Sequence, residues 1–236
     1  MDDHEIMKVL QRLAAMPSPF PVYSAAFLED AMEKLDMPNR VLDPGIRPLL
    51  PFTRLVGTAV TLKLEVAQDP DLESTTAIYG QALEAGKGLS QPVLVIEAPF
   101  LKYGTLGSGG AHCMKNIGFV GAVVDGVVRD TDEIARMDFK VFYRYITPEH
   151  VDGMARGVSA NEPVKVGGVT VSPGDVIVGD NDGVVSVPRA AIERVMQVAD
   201  EIMDIEEQII REIDSGVSYE QAGKKHFKEL LRKVEL

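Results

Sequence analysis

Two short apolar runs, PVLVIEA at residues 92–98 and FVGAVVD at residues 119–125, constrain this chain more than any other feature. Each is continuous rather than alternating, so the strand it forms must be covered on both faces, as in a parallel sheet between other layers. Between them lie a glycine-rich turn, Gly104 to Gly110, and a helical stretch from about Ala111 to Asn116. Strand, helix and strand within about 35 residues make a βαβ unit, whose crossover should be right-handed. The fold class is therefore α/β.

The remaining chain reads around that unit. Ile6, Val9, Leu10 and Leu13 recur at helical spacing over residues 5–14, and Pro17, Pro19 and Pro21 stop that helix. Ser24 is placed to cap a second helix reaching about Leu35, and a proline-rich loop follows to Arg54. Residues 56–64 read as a strand and residues 75–85 as a helix ending at Gly86. From Val164 to Pro188, valine-rich segments are split by Gly167-Gly168, Pro173-Gly174-Asp175 and residues 179–183, the pattern of short antiparallel or mixed strands. A long amphipathic helix spans about Arg189 to Asp214, with Gly216 as its stop. At about 40 Å it is longer than a core of this size needs; subunit contact is the explanation we favour, with a helix lying across its own domain as the alternative. Residues 1–216 form one domain, and residues 217–236 form a solvated helical tail.

Composition excludes several classes of function. Lys and Arg number 24 against 36 Asp and Glu, a net charge of −12 that repels nucleic acid and anionic lipid. No apolar run reaches the roughly 18 residues of a membrane span, and the acidic N-terminus lacks the order of a secretory signal. Cys113 is the only cysteine, so no internal disulfide forms and a cytoplasmic location is expected. We expect Cys113 to be a small buried helix residue. His4, His112, His150 and His226 form no pair at metal-ligand spacing, and the turn at 104–110 lacks the lysine of a phosphate loop.

Position supplies the sharper signal. Ligands of open parallel sheets bind beyond the carboxyl ends of the strands. The two apolar runs end beside the Gly104–Gly110 turn and beside Gly126-Val127-Val128-Arg129-Asp130, which the βαβ geometry brings to one edge. The turn offers free amides at a helix start. Arg129 can hold a carboxylate bidentately, and Asp130 can hold a cation. Such a site suits a small, anionic, metal-chelating molecule.

These residues resemble the RraA-like family and its 4-hydroxy-4-methyl-2-oxoglutarate and 4-carboxy-4-hydroxy-2-oxoadipate aldolase branch. The match runs through GFVGAVVDGVVRD (118–130), with support from GIRPL (45–49), GTAVTLK (57–63) and PGDVIVGDNDGVV (173–185). The resemblance implies a swivelling β/β/α sandwich assembled as a homotrimer or a hexamer, with sites between subunits. It implies that Arg129 binds the pyruvyl moiety and polarises the enolate oxygen, and that Asp130 holds Mg²⁺ or Mn²⁺, partly through water. Amides at Gly107, Ser108, Gly109 and Gly110 would take the substrate carboxylate, and Glu207, or next Glu206, would come from the neighbouring subunit's C-terminal helix. The implied activity is retro-aldol cleavage of a 4-hydroxy-2-oxo acid to pyruvate, accompanied by oxaloacetate decarboxylation through the same enolate. Ser108, Gly109 and Gly110, followed by His112, are smaller than the residues family aldolases usually carry, so the far end of the substrate is not implied. Two alternatives share the fold: a protein-binding regulator like the family's ribonuclease E inhibitor branch, and a lyase for a sugar-derived 2-oxo acid. No nucleotide fingerprint of a methyltransferase is present.

Overall fold

The computed structural model describes residues 1–15, 23–37, 39–68, 72–99, 102–151 and 153–230. The stop expected at Pro17, Pro19 and Pro21 and the last tail residues lie outside them.

Four parallel strands lie side by side in chain order: β2 (Leu55–Val66), β3 (Pro92–Glu97), β4 (Gly121–Val128) and β5 (Lys140–Ile146). The helices that connect them are α3 (Leu72–Gly86), α4 (Ser108–Asn116) and α5 (Thr131–Arg136). Ala82, Met114 and Ile134 from these helices share one core with Leu94, Ile96 and Val124, so all three lie on one face of the sheet. Val93, Val95, Val123 and Phe142 point to the other face, against a hairpin of β7 (Val164–Val166) and β8 (Val169–Val171). Hairpin, sheet and helices are the three layers of a β/β/α sandwich. The continuous apolar runs are explained by burial on both sides, since β3 buries Val93 and Val95 one way and Leu94 and Ile96 the other.

Strand β2 is long enough to serve two neighbours on its second edge. Its first residues pair antiparallel with β9 (Val176–Gly179), which pairs with β10 (Val184–Val187), and its last residues pair with β6 (Ala155–Ala160) across a bulge at Lys63/Leu64. A two-residue strand, β1 (Arg47–Pro48), adds to β5 inside the segment expected to be loop. On β9 and β10 rests a second core built by α1 (Asp3–Ala14), α2 (Ala25–Lys34) and α6 (Ile192–Asp214), with Leu10, Leu28, Val195 and Ile202 at its centre. Ser24 caps α2 by accepting from the Phe27 amide at 3.1 Å, as its hydroxyl suggested.

Several boundaries move. Helix α4 starts at Ser108 rather than Ala111, because Gly107 serves as N-cap. Strand β4 runs through Val128 rather than stopping at Asp125, by way of a register shift between Val124 and Val127. Helix α6 begins at Ile192, and Gly216 adopts φ +96° just beyond its end. The tail forms α7 (Tyr219–Leu230), which is docked rather than solvated: Ala222 and His226 are buried, and Glu212 of α6 meets Lys225 and, at 3.2 Å, His226. No helix among the described residues is long and apolar enough to cross a membrane.

Lys225 first, and His226 with it, hold the Glu212 carboxyl below the usual carboxylate range. A lowered folded pKa means that this docking contribution is fully present above the unfolded value of about 4.3 and is lost as pH falls below it and through the lower folded value. Amide protection over residues 219–227, measured relative to the intrinsic exchange rate at each pH, should therefore fall below about pH 4, and Glu212→Gln should show the reduced protection already at pH 7.

Candidate active site

The glycine turn after β3 is strapped to the sheet edge. Thr105 donates its amide to the Val127 carbonyl at 2.8 Å and its hydroxyl to the same atom at 3.0 Å. The Arg129 amide returns a bond to the Leu106 carbonyl at 2.9 Å. On the opposite side the Gly104 amide donates to the Glu149 carbonyl at 3.0 Å, and the Tyr79 phenol, its pKa pushed up by burial, donates to the Thr105 carbonyl. Turn and strand end are thus held as one piece.

Arg129 and Asp130 emerge where β4 stops. Asp130 adopts φ +54° and ψ +36°, a left-handed conformation that Asp tolerates better than most residues, and it leads straight into α5. The Arg129 side chain then lies flat on the turn. A Cβ at Gly104 would meet Arg129 Cγ at 2.8 Å, and one at Gly107 would meet Asp130 Oδ2 at 2.6 Å and Arg129 Cγ at 3.1 Å. Only glycine leaves room for that approach.

The polar groups are divided accordingly. Asp130 Oδ2 accepts from the Ser108 amide at 3.1 Å and the Ser108 hydroxyl at 3.3 Å, and Oδ1 accepts from Arg129 Nε at 3.1 Å. Partial burial works against ionisation of Asp130, but the Ser108 amide and the Arg129 guanidinium outweigh it and hold the carboxyl below its usual range. Because Arg129 spends Nε on Asp130, its two terminal nitrogens make no hydrogen bond among the described residues and form an open donor pair. The first intrahelical bond of α4 runs from Ala111 to the Gly107 carbonyl, which leaves the Gly109 and Gly110 amides without an intrahelical acceptor. Guanidinium and carboxylate thus lie, partly exposed, against the first residues of α4. Sequence reasoning placed Gly107, Ser108, Gly109, Gly110, Arg129 and Asp130 together, and the structure brings them together.

A divalent cation fits this donor set in a limited way. No group of three or more His, Cys, Asp or Glu side chains converges to hold a metal among the described residues. Three donors on Asp130, against the roughly four lone-pair positions of a carboxylate, leave one for direct contact. A hard ion of the Mg²⁺ type is often held by one carboxylate, its own waters and a chelating ligand, so Asp130 suffices.

Glu206 and Glu207 sit elsewhere in the chain, on α6, and neither bonds to Arg129 or Asp130. Glu206 turns toward α2, where burial and the nearby Asp30 raise its pKa, whereas exposed Glu207 pairs with Arg211 at 2.8 Å. Three other carboxylates of the matching blocks are staples. Buried Asp125 accepts from Arg144 Nε and from the Gly167 amide, both at 2.6 Å, tying the hairpin layer to the sheet. Asp175 pairs with Arg40 at 2.8 Å, and Asp180 accepts from the Ala25 amide at 2.7 Å. Cys113 is exposed rather than buried, because Ala111 and Met114 supply the inward positions of the short helix α4. Sequence reasoning missed Tyr79, Thr105 and the segment 147–150, whose contacts with the turn cross 20 or more residues and leave no local pattern.

The RraA-like family model, described as Aldolase/RraA, matches residues 25–186. The chain belongs to the RraA-like family. A Halalkalibacterium halodurans protein with the provisional name 4-hydroxy-4-methyl-2-oxoglutarate aldolase is 35% identical over 159 residues, 67% of this chain and 71% of that one. Legionella pneumophila DlpA is 30% identical over 202 residues, 84% of this chain but 32% of DlpA. Among solved structures, an uncharacterised Pseudomonas syringae protein superimposes with a TM-score of 0.77 at 27% identity, covering 92% of this chain and 93% of its own. Streptomyces coelicolor RraAS2, described as an unusual member of the RNase ES inhibitor RraA family, gives 0.69 at 25% identity over 88% and 96%. The RraA-like segment thus contains every site residue of the turn and of the β4 end.

Glycine packing makes the geometry testable. Gly107→Ala should lower stability by about 1–3 kcal/mol in urea unfolding, because the methyl group displaces Asp130. Gly109→Ala meets nothing within 4 Å and should be neutral, or stabilising by up to about 1 kcal/mol, in the same experiment.

Proposed function

We propose that this RraA-like chain is a divalent-metal-dependent carbon–carbon lyase that cleaves 4-hydroxy-2-oxo acids of the 4-hydroxy-4-methyl-2-oxoglutarate type to pyruvate, with oxaloacetate decarboxylation as a side activity. One observation carries the reading. The Arg129 guanidinium is fixed through Nε on Asp130, whose other oxygen accepts from the Ser108 amide at the start of α4, and among the described residues its terminal nitrogens make no hydrogen bond. The provisional aldolase names of relatives at 35% identity support the same chemistry.

In this reading the amides at the start of α4 bind the substrate's C1 carboxylate, assisted by the positive end of the helix dipole. Arg129 donates to the 2-oxo oxygen, which gains negative charge as the C3–C4 bond breaks. A fixed cation there stabilises the transition state more than the ground state, which is the condition for acceleration. Ser108 holds the Asp130 carboxylate in place. Asp130 would hold Mg²⁺ or Mn²⁺, directly and through water, and the bound ion supplies Lewis-acid polarisation of the 2-oxo acid. A homotrimer or hexamer in the cytoplasm belongs to the same proposal, with exposed Glu207, ahead of half-buried Glu206, reaching a neighbour's site.

The similarity to RraAS2 supports a second reading, a regulator that works through protein contacts. One assay separates the two. Wild-type protein with oxaloacetate and Mg²⁺ or Mn²⁺ should form pyruvate well above the metal-only background, and a chelator should abolish that excess. Arg129→Ala should lower the rate by about 100- to 1000-fold, and Arg129→Lys should not restore it, since ammonium lacks the planar fork. Background-level pyruvate from the wild type, or full activity in Arg129→Ala, would contradict the lyase reading.

A further inference from the structure

Retro-aldol cleavage needs a group to take the proton of the substrate's 4-hydroxyl, and the residues assigned so far do not supply one. Arg129 has no proton-accepting form. Asp130 already accepts three hydrogen bonds, and the Ser108 hydroxyl is directed to Asp130. The next candidate lies across the turn. Gly104 and His150 are paired in an isolated parallel β-bridge, with the Gly104 amide on the Glu149 carbonyl at 3.0 Å.

Bridge partners send their side chains to the same side of a ladder, with Cβ positions about 5 Å apart. On that side of Gly104 runs the Arg129 stem, with Cγ, Cβ and Cδ at 2.8, 2.9 and 3.0 Å from the position a Cβ would take. His150 therefore leaves the backbone beside the arm that carries the guanidinium, and it is exposed. Its segment is anchored. The Thr147 amide donates to the Val128 carbonyl at 3.0 Å, and the Glu149 amide donates to the Thr147 hydroxyl at 3.2 Å. Turn, strand end and His150 segment thus form one unit, with the His150 Cβ and the Arg129 stem on the same side of it. An imidazole accepts and returns protons near neutral pH more readily than any other side chain.

We propose that His150 is the general base of the lyase reaction, an inference that rests on the lyase reading above. The hydroxyl proton passes to an imidazole nitrogen, and the O–H electron pair becomes the π bond of the departing carbonyl fragment. The C3–C4 pair becomes the C2=C3 bond of the enolate, whose charge settles on the oxygen held by Arg129. Reprotonation at C3 then yields pyruvate, and no oxidant or reductant takes part.

Comparison of two substrates tests this. Oxaloacetate loses CO₂ from a carboxylate with no hydroxyl proton to remove, whereas 4-hydroxy-4-methyl-2-oxoglutarate cannot cleave without losing one. His150→Asn and His150→Gln should lower the ratio of retro-aldol to decarboxylation kcat by about 100-fold or more, the usual size of a general-base effect. The decarboxylation measured in the same samples reports that the site is still folded. An unchanged ratio overturns the proposal, whether both rates fall together or neither falls. A wild type that decarboxylates oxaloacetate but cannot cleave the hydroxy acid also overturns it, and of the lyase reading only the decarboxylase part then stands. A wild type with neither activity overturns both.

Discussion

An arginine stem lying across two glycines is the contact on which the site depends. Gly104 and Gly107 lack the Cβ atoms that would collide with Arg129 and Asp130, so the turn and the end of β4 close to van der Waals distance. That approach lets Arg129 Nε and the Ser108 amide share one carboxylate, and among the described residues the terminal guanidinium nitrogens make no hydrogen bond. A larger residue at either glycine would part the two segments and scatter the donors. Preorganisation here is a consequence of packing.

The layers around this contact divide the work. The helical face of the sheet carries the site through α4 and α5, while the hairpin face is fastened by carboxylates that take no part in it. Asp125 lies only a few residues before Arg129 in the matching block, yet it points under the hairpin and is neutralised by Arg144. The second core of α1, α2 and α6 sits on β9 and β10, away from the turn.

Much of this was legible in the sequence. Runs 92–98 and 119–125 identified the parallel strands because continuous apolarity requires cover on both faces; the Gly104–Gly110 turn, Arg129 and Asp130 followed from where those strands end, and the family resemblance narrowed the turn to Gly107–Gly110. What escaped was non-local. The extension of β4 to Val128 depends on a bulge that a sequence does not show, and β5 alternates too weakly in KVFYRYI to read as a buried strand. Tyr79 and the 147–150 segment reach the turn only through tertiary contact. Cys113 was misread because a nine-residue helix with two glycines buries only Ala111 and Met114.

The central claim is that Arg129, Asp130 and the start of α4 form a single 2-oxo-acid site. The most direct test is a crystal structure with Mn²⁺ and oxalate, a stable mimic of the pyruvate enolate, with the metal located by its anomalous signal. Oxalate is expected on the terminal nitrogens of Arg129 and the amides of Gly109 and Gly110, with Mn²⁺ beside Asp130. Oxalate and metal bound away from these residues, with the turn empty, would contradict it.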